Sequence, residues 1–126
     1  MLNSLMIVDD SATMRKIISR VVEMSGLVFG RMEEASSGTE ALEKLQAAPV
    51  DVVLCDINMP EMSGSELVRR VREELPKCNG TKIIMVSAES CQDRIENLMA
   101  AGADGYITKP FTPEKFQQEL AKFVTV

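Results

Sequence analysis

Three short apolar runs punctuate the chain, and each ends on a polar residue. Leu5-Met6-Ile7-Val8 leads into Asp9-Asp10, Val52-Val53-Leu54-Cys55 into Asp56, and Ile83-Ile84-Met85-Val86 into Ser87. A shorter segment, Tyr106-Ile107-Thr108, leads into Lys109-Pro110. Continuous apolar runs bounded by turn signals predict strands buried on both faces, as in a parallel sheet covered by helices on each side. Leu27 to Ala35 is weaker and partly alternating, which predicts a strand nearer the sheet edge.

Helical spacing fills the intervals. Met14, Ile17, Ile18, Val21 and Val22 predict a first helix, capped by Asp10 or Ser11 and stopped at Gly26. Ser37-Gly38-Thr39-Glu40 has the spacing of a capping box and opens a second helix carrying Ala41, Leu42 and Leu45, closed by Pro49. Gly64 to Glu74 predicts a third, with Leu67, Val68 and Val71 inward. Ser90 caps a fourth with Ile95, Leu98 and Met99 on one face, stopped at Gly102. Thr112-Pro113-Glu114 opens a fifth, which buries Phe116, Leu120 and Phe123 or Val124. Five strand–helix repeats predict an α/β fold: a five-stranded parallel sheet with helices on both faces, (βα)5. Residues 1–126 are read as one domain with no output domain attached.

Composition narrows the function. At 45% hydrophobic and 26% charged, the chain has the makings of a real core. With no histidine, His-dependent triads and most zinc and copper sites are excluded. A net charge of −5 argues against nucleic-acid binding. Arg69-Arg70-Val71-Arg72 is followed by Glu73-Glu74 and reads as a solvated helix face. Cys55, Cys78 and Cys91 are odd in number and lack CxxC spacing, which fits free thiols in a reducing compartment. No run approaches the ~18 apolar residues of a membrane span, and no basic leader precedes the first strand, so the expected location is cytoplasmic. Most of the nine methionines read as core fillers, with Met14, Met85 and Met99 on apolar faces.

The strand ends carry the chemistry. In parallel strands they share one rim, where ligands bind in open α/β sheets, and neighbouring strands lie only ~4.8 Å apart. Asp9, Asp10 and Asp56 then approach closely if their strands are adjacent. Like charges so placed raise one another's pKa or bind a cation, and an all-oxygen set favours a hard ion, Mg²⁺. Lys109 adds a positive charge and Ser87 a hydroxyl. The set makes a phosphoryl-transfer site, with Asp56 the best nucleophile. Taken singly, each residue reads as a cap, a turn residue or a surface lysine. The conjunction on four strand ends carries the argument.

At these residues the chain resembles the receiver domain of two-component response regulators, and within that family its stand-alone chemotaxis members. The markers are Val8-Asp9-Asp10, Thr13-Met14-Arg15, Asp56 through Pro60 with Gly64, Ser87-Ala88-Glu89, Gly102 through Tyr106, and Lys109 through Thr112. The resemblance implies the flavodoxin-like strand order 2-1-3-4-5. It implies Asp56 as phosphoacceptor, with Asp10, Asp56 and the Asn58 backbone carbonyl as direct Mg²⁺ ligands and Asp9 acting through water. Lys109 becomes the phosphate-contacting lysine, followed by a cis bond to Pro110. Ser87 and Tyr106 become the switch pair, Asn58 and Glu89 tune phosphate loss, and Ile95, Tyr106 and Phe111 mark the output face. Departures are Ser87 for the commoner threonine, Ser11 and Ile57 in place of aromatics, and Glu119 in place of a lysine on the output face.

The expected function is phosphate acceptance on Asp56 from a histidine kinase, with a protein effector such as a flagellar motor switch or a phosphotransfer protein. A phosphorelay intermediate or phosphate sink is the nearer alternative. No enzyme activity beyond self-catalysed phosphorylation and dephosphorylation, no membrane and no nucleic acid are expected, and the expected state is a monomer. An Asp-nucleophile phosphatase is more distant, because Asp56-Ile57-Asn58 lacks a second carboxylate. A flavin carrier is disfavoured by the acidic loop after the first strand.

Overall fold

A computed structural model describes residues 4–88 and 92–123. The strands are β1 (Ser4–Val8), β2 (Arg31–Ala35), β3 (Val52–Cys55), β4 (Lys82–Ser87) and β5 (Gly105–Thr108). Between and after them run α1 (Ala12–Met24), α2 (Gly38–Ala47), α3 (Gly64–Glu74), α4 (Gln92–Ala101) and α5 (Pro113–Ala121), with a short 3-10 turn at Pro76–Cys78. All four strand pairs are parallel and the order is β2-β1-β3-β4-β5.

Successive strand residues point to opposite faces. Met6, Val8, Val53, Cys55, Ile83 and Met85 face one core, which α2, α3 and α4 cover with Ala41, Leu45, Leu67, Val68, Val71 and Leu98. Leu5, Ile7, Val52, Leu54, Ile84, Val86 and Ile107 face the other, which α1 and α5 cover with Ile18, Val22, Phe116 and Leu120. Two buried faces explain the continuous apolar runs at residues 5–8, 52–55 and 83–86 within β1, β3 and β4. Among the described residues, no helix is long and apolar enough to cross a membrane.

Caps follow the local chemistry. Ser11, Ser37, Ser63 and Thr112 each accept a bond from the backbone N–H three residues on. The box at Ser37 is only half formed. The Glu40 carboxylate turns instead to the Ser36 hydroxyl and to Lys44, and these contacts hold its pKa below the ordinary range, Lys44 most strongly.

Several expectations need correction. Within the predicted segment Leu27 to Ala35, the edge strand occupies only Arg31–Ala35. Among the described residues its register starts with Ser4 opposite Arg31, and Val28, ahead of the strand, stands 87% exposed. Ile17 and Met99 are exposed rather than inward. On α4 only Leu98 is buried and Ile95 is half-buried, so that helix covers the sheet with a narrow stripe. Ser90 and Val124 lie outside the described residues.

Candidate functional site

The order of strands creates the site. From β1 the chain moves outward to β2, then crosses back to β3 on the other side of β1. The crevice at such a reversal, beyond the carboxyl ends of the strands, is where doubly wound sheets bind ligands. Asp9-Asp10 follows β1 and Asp56 follows β3. Strand-like pairing persists one residue past each strand, with Asp9 N–H donating to Ala35 O at 3.1 Å and Asp56 N–H to Val8 O at 3.0 Å. The carboxylates of Asp9, Asp10 and Asp56 therefore converge, each offering an oxygen within 4.8 Å of the others. Lys109, beyond β5, brings its Nζ to 3.9 Å from Asp56 Oδ1.

Asp9 is the buried member, 2% exposed. Its Oδ1 accepts the Ser11 N–H at 2.9 Å, while Oδ2 is buried without a hydrogen-bond partner. Burial pushes the Asp9 carboxyl above its ordinary pKa, and the charges of Asp56 and Asp10 add to the rise. The Ser11 amide and Lys109 pull the other way. A buried, unpartnered carboxylate oxygen beside two further carboxylates is unfavourable by itself and suits a hard, oxygen-seeking cation. The donor set holds no nitrogen or sulfur that would favour a softer metal.

The loop after Asp56 is held by close packing. Asp56 Oδ1 accepts the Ile57 N–H at 2.8 Å, and Gly64 N–H donates to Ile57 O at 2.8 Å. A Cβ on Gly64 would lie 2.3 Å from the Asp56 carbonyl oxygen. Met59 and Met62, within this loop, are buried in the core on the α2–α4 side of the sheet. The Cys55 thiol is fully buried, which raises its pKa far above the ordinary range, so it is a core residue.

The remaining predicted residues fall into place unevenly. Ser87 is buried at the end of β4, and its carbonyl accepts the Lys109 N–H at 2.9 Å. The Lys109–Pro110 bond is cis. Asn58 is exposed on the loop after Asp56, and Glu89 lies outside the described residues. Tyr106 is half-buried against the core covered by α2, α3 and α4. Phe111 packs on the opposite core, edge-on to Phe116 at 5.1 Å. Tyr106 and Phe111 thus sit on opposite faces of the sheet, and half-buried Ile95 lies on α4. Two contributors were not assigned from the chemistry of the sequence. Arg15 donates to the Asp9 carbonyl, and Gly64 permits the close approach under Asp56.

The family profile described as the response regulator receiver domain matches residues 5–121. The chain belongs to the response regulator receiver domain family. The chain is 41% identical over 117 residues to the chemotaxis protein CheY1 of Helicobacter pylori, covering 92% of each. It is 37% identical over 118 residues to the chemotaxis protein CheY of Pseudomonas aeruginosa, covering 94% of this chain and 93% of that one. Among solved structures, the receiver resembles Vibrio cholerae chemotaxis protein CheY4, with a TM-score of 0.85 and 34% identity over 98% of this chain and 100% of that one. A receiver domain protein of Methanospirillum hungatei gives a TM-score of 0.82 at 28% identity, covering 98% and 94%. The fold, its strand order and the family expected from the sequence therefore stand together.

Proposed function

We propose that this receiver is the phospho-accepting protein of a two-component pathway, taking a phosphoryl group onto Asp56 from the phosphohistidine of a partner kinase. The observation that carries the reading is the meeting of Asp9, Asp10 and Asp56 with Lys109 at one sheet edge. In the transfer, an Asp56 carboxylate oxygen forms a bond to phosphorus. The phosphorus–nitrogen bond breaks, and its electron pair stays on the departing imidazole. Bound Mg²⁺ supplies charge neutralisation for the phosphoryl oxygens. Asp9, Asp10, Asp56 and the Asn58 backbone carbonyl are the groups that would hold it. Lys109 provides a second positive charge, and Ser87 provides a hydroxyl donor for a phosphoryl oxygen.

Output follows from a shift between two packed states that differ in their contacts to the phosphoryl group. Ser87 and Tyr106 form the relay, Ile95 and Phe111 complete the output surface, and Asn58 and Glu89 control water access. Chemotaxis is the favoured setting because the similar proteins reported above bear that name. The whole chain acts as one cytoplasmic, monomeric receiver that signals by protein contact to a motor switch or a phosphotransfer protein.

Phosphoramidate tests this reading, since its phosphorus–nitrogen bond mimics phosphohistidine. With Mg²⁺ present, the wild type gains one phosphoryl group and Asp56→Asn gains none. Equal labelling of the two proteins would overturn the proposal.

A further inference from the structure

We propose that Arg15 is a positioning residue for Asp9 and Asp10, and that it thereby sets the site's affinity for a divalent cation. The inference rests on the metal-dependent reading above and assigns a role to a residue that touches neither metal nor phosphate. Arg15 lies in the first turn of α1, and its side chain is only 16% exposed. Nη1 donates to the Asp9 carbonyl oxygen at 2.7 Å, and Nε donates to Glu34 Oε1 at 2.8 Å. The planar guanidinium fixes these two donors relative to each other, so neither bond can turn alone.

The Asp9 carbonyl belongs to the peptide that joins Asp9 to Asp10. Holding that peptide fixes the direction in which both carboxylates leave the backbone. Two further bonds complete the restraint. Asp9 N–H is tied to Ala35 O, and Asp9 Oδ1 accepts the Ser11 N–H. With N–H, C=O and Oδ1 all engaged, Oδ2 is the atom left buried and unpartnered. Arg15 closes the last degree of freedom behind that oxygen.

Glu34 keeps the arginine in this role. A loose guanidinium beside three carboxylates would compete with a cation for them. The Glu34 carboxylate occupies Nε, and Glu34's own carbonyl accepts from Lys44 Nζ on α2. Groups that orient metal ligands from behind are worth roughly 10–100-fold in metal affinity.

The test is calorimetric titration of Mg²⁺ into the wild type, Arg15→Ala, Arg15→Lys and Glu34→Gln, each shown to be folded by circular dichroism. Arg15→Ala binds Mg²⁺ about tenfold more weakly. Arg15→Lys falls between it and the wild type, because one ammonium reaches only one of the two partners. Glu34→Gln shows a smaller loss and carries the test if Arg15→Ala does not fold. In acetyl phosphate labelling, Arg15→Ala needs about tenfold more Mg²⁺ and still reaches the wild-type rate at saturation. Wild-type affinity in the folded Arg15→Ala and Glu34→Gln proteins overturns the inference alone. A wild type that binds no Mg²⁺ overturns the metal-dependent reading beneath it as well.

Discussion

Lys109 Nζ stands 3.9 Å from Asp56 Oδ1, within ion-pair range but beyond a hydrogen bond. The two side chains are 23% and 12% exposed, so water screens the attraction only in part. The gap leaves the lysine able to contact a phosphoryl oxygen once one is attached to Asp56. Lys109→Ala should retain the fold and lower the rate of acetyl phosphate labelling about 100–1,000-fold. Labelling at the wild-type rate would remove the lysine from the mechanism.

Asp9 links the site to stability. Burial raises its folded-state pKa above the ordinary carboxyl value. The folded protein therefore holds this proton more tightly than the unfolded chain does. Asp9's contribution is most favourable at low pH and is lost as pH rises through the folded pKa. Asp9→Asn keeps the acceptor for Ser11 and removes the charge. In EDTA at pH 7 the variant should melt at a higher temperature than the wild type, with the gap narrowing toward pH 4. Added Mg²⁺ should stabilise the wild type more than the variant. Thermal melts across pH, with and without Mg²⁺, check both statements.

Gly64→Ala places a methyl group 2.3 Å from the Asp56 carbonyl oxygen and 2.8 Å from the Ile57 Cα. Both neighbours are backbone, so the loop that carries Asp56 must move. The expected cost is about 1–3 kcal/mol in urea unfolding, with a slower acceptor reaction. An unchanged unfolding midpoint would show that the loop yields freely.

The helices should differ in local stability. Along α3, Leu67, Val68 and Val71 are buried, whereas α4 buries Leu98 alone. Fewer buried contacts mean cheaper local opening. Amide hydrogen exchange should be faster in α4 than in the middle of α3, and the reverse order would contradict this reading of the packing.

Much of this architecture was legible because β1, β3 and β4 are buried on both faces, which forces continuous apolar runs. The ends of those runs showed Asp9, Asp10, Asp56 and Ser87, the shorter β5 segment showed Lys109, and adjacency of β1 and β3 brings the three carboxylates together. What stayed hidden depends on partners distant in the chain. Arg72 was read as part of a solvated face, yet it donates to the carbonyls of Gly102, Cys78 and Thr81 and pairs with Asp104 at 2.7 Å. No local periodicity announces a contact across 32 positions. Arg15 was visible as a motif residue, but its bond to the Asp9 carbonyl required coordinates.

The central claim is that Asp56 itself receives the phosphoryl group. The protein should be labelled with acetyl phosphate and Mg²⁺, reduced with borohydride, digested and mapped by mass spectrometry. Borohydride converts an aspartyl phosphate to homoserine. The account predicts homoserine at position 56 in the Mg²⁺ sample and almost none in EDTA. Modification at Asp9, Asp10 or Ser87 with position 56 intact would contradict it.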